Sequence, residues 1–268
     1  MFVVDVMNTV TGLFSYGDVS LEYQVIEGEN SYDSARHAIV MLHEGLGSVA
    51  LWKDFPTQLA RATKRRVIVY SREGYGDSTP IKKPRSVDYM HREARDVLPC
   101  FLEHVDVKSP ILFGHSDGAS IALIHAGSGF DVSALILMAP HVFVEELTLE
   151  SIRQAKVAFE SSDLPKKLSR YHGDVESAFR GWNDIWLNDD FRTWNIESYV
   201  EHIKSPCLLV QSHQDPYGTL RQLTSIESVI PQLAKTLILE DCGHSPHVDQ
   251  TERTLEGVLN FLEDGEIG

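Results

Sequence analysis

The chain has 268 residues, of which 43% are hydrophobic and 24% are charged, and its formal net charge is −15. This is the composition of an ordinary globular protein, long enough for one large α/β domain or two small ones. The negative charge repels nucleic acid and anionic membranes, which argues against both as partners.

Cysteine usage and the N-terminus bear on the location of the protein. The three cysteines lie far apart and form no C-x-x-C motif, as expected of reduced thiols in a reducing compartment. No basic stretch followed by a long apolar one opens the chain, and nowhere do 18 apolar residues occur together. We therefore expect a cytoplasmic protein without a signal peptide or a transmembrane helix. Its expected oligomeric state is a monomer or a homodimer.

Short apolar runs alternate with helical patterns along most of the chain. Residues 11–28 predict a hairpin that turns at Gly17-Asp18. Further strands are predicted at 38–43, 66–70, 111–113, 134–138, 207–211 and 236–239. Helices are predicted at 52–63, at 89–105, from the Ser116 turn to about 126, at 221–233 and at 251–263. Such alternation is typical of a parallel sheet with helices on both faces.

Residues 141–205 interrupt this alternation, because they show helical patterning and no convincing strand. Three of the four tryptophans of the chain lie there: Trp182, Trp186 and Trp194. By their spacing, Phe179, Trp182 and Trp186 share one helical face. We interpret the segment as a lid over the carboxyl edge of the sheet. The alternative is that these aromatic residues only form the small core of the segment itself.

Residues 114–118 read Gly-His-Ser-Asp-Gly, between an apolar strand and a helix of small residues. In this context a G-x-S-x-G turn holds Ser116 in a strained conformation at the head of the sheet. The glycines are required because Cβ atoms there would collide with the strand or the helix. The backbone N–H of Asp117 then points at an anion beside Ser116. We predict a catalytic serine; the alternative is a tight strand-to-helix turn without chemistry.

A serine hydroxyl needs a base within hydrogen-bond reach. His244 is the leading candidate among 12 histidines, because it follows the last strand in a glycine-containing loop. An acid must orient this base, and Asp215 at the end of the preceding strand is the leading candidate. The resulting order of Ser116, Asp215 and His244 along the chain is that of the α/β-hydrolases. Three rival acids remain open: Glu145, Glu146 and Asp241.

The loop 43–48 reads His-Glu-Gly-Leu-Gly-Ser and follows the predicted strand 38–43. Its glycines let backbone N–H groups approach a substrate oxygen. We predict the N–H of Gly45 as the second oxyanion donor, with Leu46 as the near alternative. No metal site is expected, because His244 has no third ligand beyond the nearby His247.

Together these segments resemble the α/β-hydrolases of the lidded esterase and carbon–carbon hydrolase type, over essentially the whole chain. The matching segments are 43–47 with Trp52, the glycine-rich loop 71–78, the Ser116 elbow, Asp215 and His244. The resemblance implies an α/β-hydrolase fold: a mostly parallel sheet of about eight strands, helices on both faces and a helical lid. The core then comprises residues 1–140 and 206–268, and the lid residues 141–205.

One residue departs from the resemblance. Glu44 stands where relatives with an H-G-G or H-G-x loop carry glycine. We expect its side chain to be structural and to face away from the site. Residues 71–78 resemble the loop that supports the floor of the active site and is not itself catalytic.

The resemblance and the residues imply acyl transfer to water, with no metal and no organic cofactor. The predicted activity is hydrolysis of a small, partly apolar carboxylic ester. Candidate substrate contacts are Leu46, Phe143, Trp182 and Trp186.

Other activities remain open at this point. The same triad could cleave a carbon–carbon bond in a vinylogous diketone, which requires a cationic clamp for a carboxylate. Candidate clamp residues in the lid segment are Arg170, Arg180 and Arg192. A slow ligand receptor, a thioesterase, a lactonase and a peptidase are further alternatives, among which the fold cannot choose.

Overall fold

The computed structural model of the protein describes residues 7–28, 36–265 and 267. Residues 1–6, on which the expected lack of a signal peptide depends, lie outside the described residues. The described chain contains one eight-stranded sheet with the strand order β1-β2-β4-β3-β5-β6-β7-β8. β2 pairs antiparallel with both β1 and β4, and every other neighbouring pair is parallel. The predicted α/β-hydrolase fold is confirmed.

The strands are β1 (Met7–Tyr16), β2 (Val19–Gly28), β3 (Ile39–Leu42), β4 (Val67–Tyr70), β5 (Ile111–His115), β6 (Ala134–Met138), β7 (Cys207–Ser212) and β8 (Ala234–Leu239). The helices are α1 (Phe55–Thr63), α2 (Tyr89–Arg92), α3 (Leu98–His104), α4 (Asp117–Gly127), α5 (Glu146–Ser161), α6 (Leu164–Leu168), α7 (Val175–Trp186), α8 (Glu197–Val200), α9 (Arg221–Val229), α10 (Pro246–Asp249) and α11 (Thr251–Asp264). No helix in these described ranges is both long and apolar enough to cross a membrane.

Successive side chains of a strand point to opposite sides of the sheet, and in the central strands the side chains on both sides are buried. In β3, Val40 and Leu42 belong to one hydrophobic core and Ile39 and Met41 to the other. The first core includes residues of α3 and α4, and the second includes residues of α1 and α11. This double burial explains why these strands read as continuous apolar runs in the sequence.

The predicted helix at 89–105 contains an irregularity. It begins as α2, continues as a π-helical turn at Glu93–Val97 and ends as α3. Glu93 and Ala94 of this turn are buried. π-helical turns interrupt α-helices at single positions and leave no periodicity of their own in the sequence.

Residues 141–205 connect β6 to β7 and contain α5 to α8; we call them the helical insertion. His172 attaches the insertion to the rest of the chain. Its Nδ1 accepts a hydrogen bond from the backbone N–H of Gly76 (3.0 Å), and its Nε2 donates to the carbonyl of Leu46 (2.9 Å). Gly173 adds a backbone hydrogen bond to Gly76 (2.9 Å). The insertion is therefore joined directly to the loops that follow β3 and β4.

Candidate active site

Ser116 lies in the turn between β5 and α4 with φ 53° and ψ −116°. This is a left-handed conformation that costs energy for any residue other than glycine. The two flanking glycines make the turn possible. A Cβ on Gly114 would lie 2.4 Å from Ala119 Cα, and one on Gly118 would lie 2.0 Å from Leu42 O. The predicted strand–turn–helix context of Ser116 is therefore present in the structure.

His244 lies in the loop between β8 and α10, and its imidazole faces Asp215 in the loop that follows β7. Nδ1 of His244 is 2.9 Å from Oδ1 and 2.8 Å from Oδ2 of Asp215. Because a carboxylate only accepts, Nδ1 carries the hydrogen, and the lone pair of the neutral ring is then on Nε2. The backbone N–H of Tyr217 donates to Asp215 Oδ1 (2.8 Å), which fixes the carboxylate.

The Asp215 side chain is fully buried. Burial alone would raise the pKa of Asp215, but His244 and the N–H of Tyr217 lower it below its ordinary value. Asp215 therefore remains ionised and can stabilise a protonated His244.

The three rival acids lie elsewhere. Glu145 accepts hydrogen bonds from Thr219 and Gln222, which join the insertion to α9. Glu146 and Asp241 are exposed, and Glu146 pairs with Arg153. In the described part of the chain, none of these three acids is hydrogen-bonded to His244.

The residue that precedes Ser116 packs against His244. The ring centroids of His115 and His244 are 5.0 Å apart. Across the described ranges, no hydrogen bond joins Ser116 Oγ to His244. Nucleophile–base contacts in enzymes without substrate are often long and shorten when the substrate binds.

The loop 43–47 is held by a buried arginine that sequence reasoning did not single out. The guanidinium of Arg72 donates to the carbonyls of His43 and Glu44, and its backbone N–H donates to His43 Nε2 (3.1 Å). His43 Nδ1 in turn donates to the Glu44 carbonyl (2.7 Å). Burial and the charge of Arg72 hold the pKa of His43 well below its ordinary value, so its ring is neutral. The signal in the sequence is an arginine two residues after the end of an apolar strand.

The predicted oxyanion donors make no hydrogen bond to another described residue. In the described part of the chain, the backbone N–H groups of Gly45, Leu46 and Asp117 donate to no protein acceptor. Asp117 opens α4, whose N-terminus favours negative charge.

The Asp117 side chain is enclosed beneath the insertion. Its carboxylate accepts hydrogen bonds from the hydroxyl of Tyr89 (2.6 Å) and from Nε1 of Trp186 (3.2 Å). Burial raises the pKa of Asp117, although the nearby Arg72 opposes this shift. Trp186 is almost fully buried, and its hydrogen bond connects α7 to the first turn of α4.

Trp182, another predicted substrate contact, packs against the loop after β3. A Cβ on Gly45 would be 2.2 Å from both Cδ1 and Nε1 of Trp182. The Trp182 ring centroid is 6.4 Å from that of Tyr217, which packs 4.8 Å from His244. The indole therefore lies between the loop of Gly45 and the ring next to His244.

Leu46 and Phe143 occupy different places. Leu46 is half-buried and packs against the hydrophobic core. Phe143 is also half-buried, and the guanidinium of Arg221 lies 5.4 Å from its ring centroid. No described ring contact or hydrogen bond connects Phe143 to Ser116, so its contact with substrate stays a prediction.

His141, which the sequence analysis did not identify as a site residue, also lies near the predicted base. The ring of His141, directly after Ala139-Pro140 at the end of β6, is 6.1 Å from His244 and 5.2 Å from Trp186. Its Nδ1 is buried without a hydrogen-bond partner. Burial lowers the pKa of His141 to about 4. His141 therefore adds an uncharged imidazole to the site at neutral pH.

Ser116 is only 6% exposed. A cavity of about 520 Å³ opens elsewhere, between the β1–β2 turn, residues 81–86 and α2, and its lining does not include Ser116, Asp215 or His244. In the described chain, no group of three or more His, Cys, Asp or Glu side chains is arranged to hold a metal ion.

Comparisons with known proteins agree with this architecture. The sequence model of the alpha/beta hydrolase family matches residues 39–256. Serine hydrolase BPHL from Mus musculus is 35% identical over 207 residues, which cover 74% of this chain and 68% of that protein. N-formylmaleamate deformylase from Pseudomonas putida is 23% identical over 254 residues, which cover 87% of this chain and 91% of that protein.

A solved structure extends the likeness to the whole fold. A carboxylesterase from the thaumarchaeon Nitrososphaera gargenis superposes with a TM-score of 0.77 at 18% sequence identity, covering 95% of this chain and 99% of that chain. At this identity the likeness shows the fold alone.

Proposed function

The chain belongs to the α/β-hydrolase family, and on that premise we propose that it hydrolyses small, partly apolar carboxylic esters through Ser116, His244 and Asp215. The observation that carries the proposal is the contact of His244 Nδ1 with both oxygens of the buried Asp215 carboxylate (2.9 and 2.8 Å). This contact favours the tautomer whose Nε2 can accept a proton, as the base of a serine nucleophile must.

The proposed reaction has two halves. Ser116 Oγ attacks the ester carbonyl while His244 Nε2 takes its proton, and the N–H groups of Asp117 and Gly45 stabilise the oxyanion. The intermediate collapses, and His244 returns the proton to the leaving alcohol. A water activated by His244 then attacks the acyl-enzyme, and the acid leaves as Ser116 regains its proton. These steps require neither a metal nor an organic cofactor.

The helical insertion is proposed to act as a lid over this site. Two contacts support this role: Trp182 packs against Gly45, and His172 donates to the carbonyl of Leu46. Apolar walls of this kind enclose most of a small ligand. The partly apolar character of the proposed substrate follows from the indole of Trp182 beside the oxyanion loop.

Carbon–carbon bond cleavage has weaker support. Two of the three candidate clamp residues pair with acids of the insertion: Arg180 with Glu176 (3.0 Å) and Arg192 with Glu146 (3.4 Å). Arg170 is exposed. Each arginine would have to leave its present surroundings to meet a substrate carboxylate at Ser116.

The test is a substrate panel with matched variants. Purified protein is assayed with p-nitrophenyl esters, lactones, acyl thioesters, N-formyl amides and ring-cleavage dienones, next to Ser116→Ala. We expect ester hydrolysis in the wild type and a loss on the order of 10⁴ to 10⁶ in kcat for Ser116→Ala. A fluorophosphonate probe should label Ser116, as located by peptide mass spectrometry. Retention of more than about a tenth of the activity, a loss below roughly 1.4 kcal/mol, would contradict the assignment.

A further inference from the structure

Glu44 and His115 contact each other, and each directly precedes a residue of the proposed site, Gly45 and Ser116. Glu44 Oε2 lies 3.5 Å from His115 Nδ1, and the His115 side chain is fully buried. Gly47 leaves room for this carboxylate, because a Cβ there would lie 2.3 Å from Glu44 Oε2. The acid that replaces the glycine expected at position 44 therefore faces the nucleophile turn.

The second ring nitrogen of His115 decides which protonation state fits. Its Nε2 is 2.6 Å from the backbone carbonyl oxygen of His244. A carbonyl only accepts, so Nε2 carries a hydrogen in every state of the ring. A neutral ring would then turn the Nδ1 lone pair toward the Glu44 carboxylate, which is repulsive. A protonated ring presents an N–H to it, so this geometry favours a charged pair.

The charges around His115 act in the same direction. Burial alone would lower the pKa of His115, but the Glu44 carboxylate, the His244 carbonyl and the charge of Asp215 raise it above its ordinary value. Burial alone would raise the pKa of Glu44, yet His115 and the other nearby histidines hold it well below its usual range. The titratable groups near His115 are Glu44, Asp215, His141, His244 and His247.

We propose that Glu44 and His115 are positioning residues, which hold the oxyanion loop, the nucleophile turn and the His244 loop in register as an ion pair between a buried histidine and a partly exposed glutamate. The proposal rests on the function proposed above. The pair can affect catalysis because it joins three loops that carry residues of the proposed site. The stabilisation of an oxyanion depends on donors placed within a fraction of an ångström, whereas ground-state binding of an ester does not. Loss of the pair therefore lowers kcat and leaves KM nearly unchanged.

Glu44→Gln and His115→Gln test this directly. The first removes the charge at almost constant shape, and in the second Nε2 of the new amide can still donate to the His244 carbonyl. We expect each to lower kcat about tenfold to hundredfold. The double variant should lose no more than the worse single one, because both remove the same interaction. The control is Glu150→Gln, which removes an exposed acid from α5 and should retain wild-type kcat.

The pH dependence gives a second kinetic readout. Because the pKa of His115 is raised, the pair is present at low and neutral pH and is lost as the pH rises through that value. The kcat of the wild type should therefore decline at alkaline pH, and this decline should be absent in His115→Gln.

NMR of histidine-labelled protein reads the pair without catalysis. The His115 ring should remain doubly protonated above the ordinary range of histidine in the wild type and in Ser116→Ala, and become neutral at lower pH in Glu44→Gln. This arm does not depend on Ser116 being the nucleophile, so the two proposals fail separately. A neutral His115 at pH 7 in the wild type overturns the inference, as do full kcat in Glu44→Gln or losses that multiply in the double variant. If Glu44→Gln does not fold, His115→Gln and the wild-type spectrum decide.

Discussion

The indole of Trp182 lies so close to Gly45 that a Cβ on the glycine would be 2.2 Å from two atoms of the ring. Trp182 belongs to α7 of the helical insertion, and Gly45 to the loop after β3. His172 of the insertion also donates to the carbonyl of Leu46 in that loop (2.9 Å). The loop proposed to bind the oxyanion is thus held by hydrogen bonds from Arg72 and by contacts with the insertion.

The first prediction concerns this contact. Gly45→Ala should lower kcat/KM at least tenfold, because the new methyl group must displace Trp182 or the loop itself. Gly45 does not have a positive φ, so the backbone tolerates alanine and the effect comes from the clash. Steady-state kinetics of Gly45→Ala and of Gly45→Ala combined with Trp182→Ala measure this.

The control for this prediction is Gly173→Ala, where the nearest atom would be an ordinary 3.5 Å away. Gly173→Ala should behave as the wild type. The double variant should be more active than Gly45→Ala alone, since removal of the indole relieves the collision. An equally inactive double variant would mean that alanine disturbs the loop without involving Trp182.

The second prediction separates the two tryptophans of α7. Trp182→Ala should raise KM for aromatic or medium-chain acyl esters more than for acetate esters, because it removes an apolar wall. The difference between the two ester classes should correspond to about 1–3 kcal/mol of binding free energy. Trp186→Phe should leave this selectivity unchanged, because the Trp186 N–H is engaged by the buried Asp117 carboxylate. It should instead lower the free energy of unfolding by about 1–3 kcal/mol. Chain-length profiles and urea denaturation distinguish the outcomes, and equal loss for both ester classes in Trp182→Ala would contradict a wall role.

Strands that are buried on both faces can be predicted from the sequence, and strands that are largely exposed cannot. All four residues of β3 and of β4 are buried, so each reads as a short apolar run. β1 begins at Met7, four residues before the predicted hairpin. The prediction misses the start of this strand because most of its residues are exposed and show little hydrophobic alternation. Exposed edge strands lack the apolar pattern on which such predictions depend.

Within the candidate site, local conformation is predictable and long-range contact is not. The turn at Ser116 follows from its two glycines, which nearby backbone atoms require. The contacts of Arg72 with His43 and of Trp186 with Asp117 join residues 29 and 69 positions apart. No periodicity encodes such contacts, because they depend on how packed elements bring side chains together.

The third prediction concerns the acid that orients His244. Asp215→Asn should lower kcat by about 10⁴ with the fold retained, because an amide donor facing Nδ1 favours the wrong tautomer. Glu145→Gln should retain kcat within a few fold, since Glu145 binds Thr219 and Gln222 and not the histidine. Kinetics and melting temperatures of both variants test this. The reverse pattern, an active Asp215→Asn and an inactive Glu145→Gln, would assign the acid to the segment after β6.

The last prediction concerns stability at acid pH. Burial lowers the pKa of His141 to about 4, against an ordinary value of 6.5, so the unfolded chain binds this proton more readily than the folded one. The contribution of His141 is therefore complete above pH 6.5 and is lost as the pH falls toward 4, by on the order of 3 kcal/mol. His141→Asn should flatten the pH dependence of the unfolding free energy across this window, whatever its effect at pH 7.

Urea denaturation at intervals between pH 4 and 7.5 measures this slope for the wild type and the variant. The matched control is His202→Asn, which replaces an exposed histidine and should keep the wild-type slope. Other buried histidines, such as His247 with a pKa lowered to about 3, titrate in both proteins and cancel in the comparison. Parallel curves for the wild type and His141→Asn would show that His141 takes up its proton without cost, and so is hydrated in the folded protein.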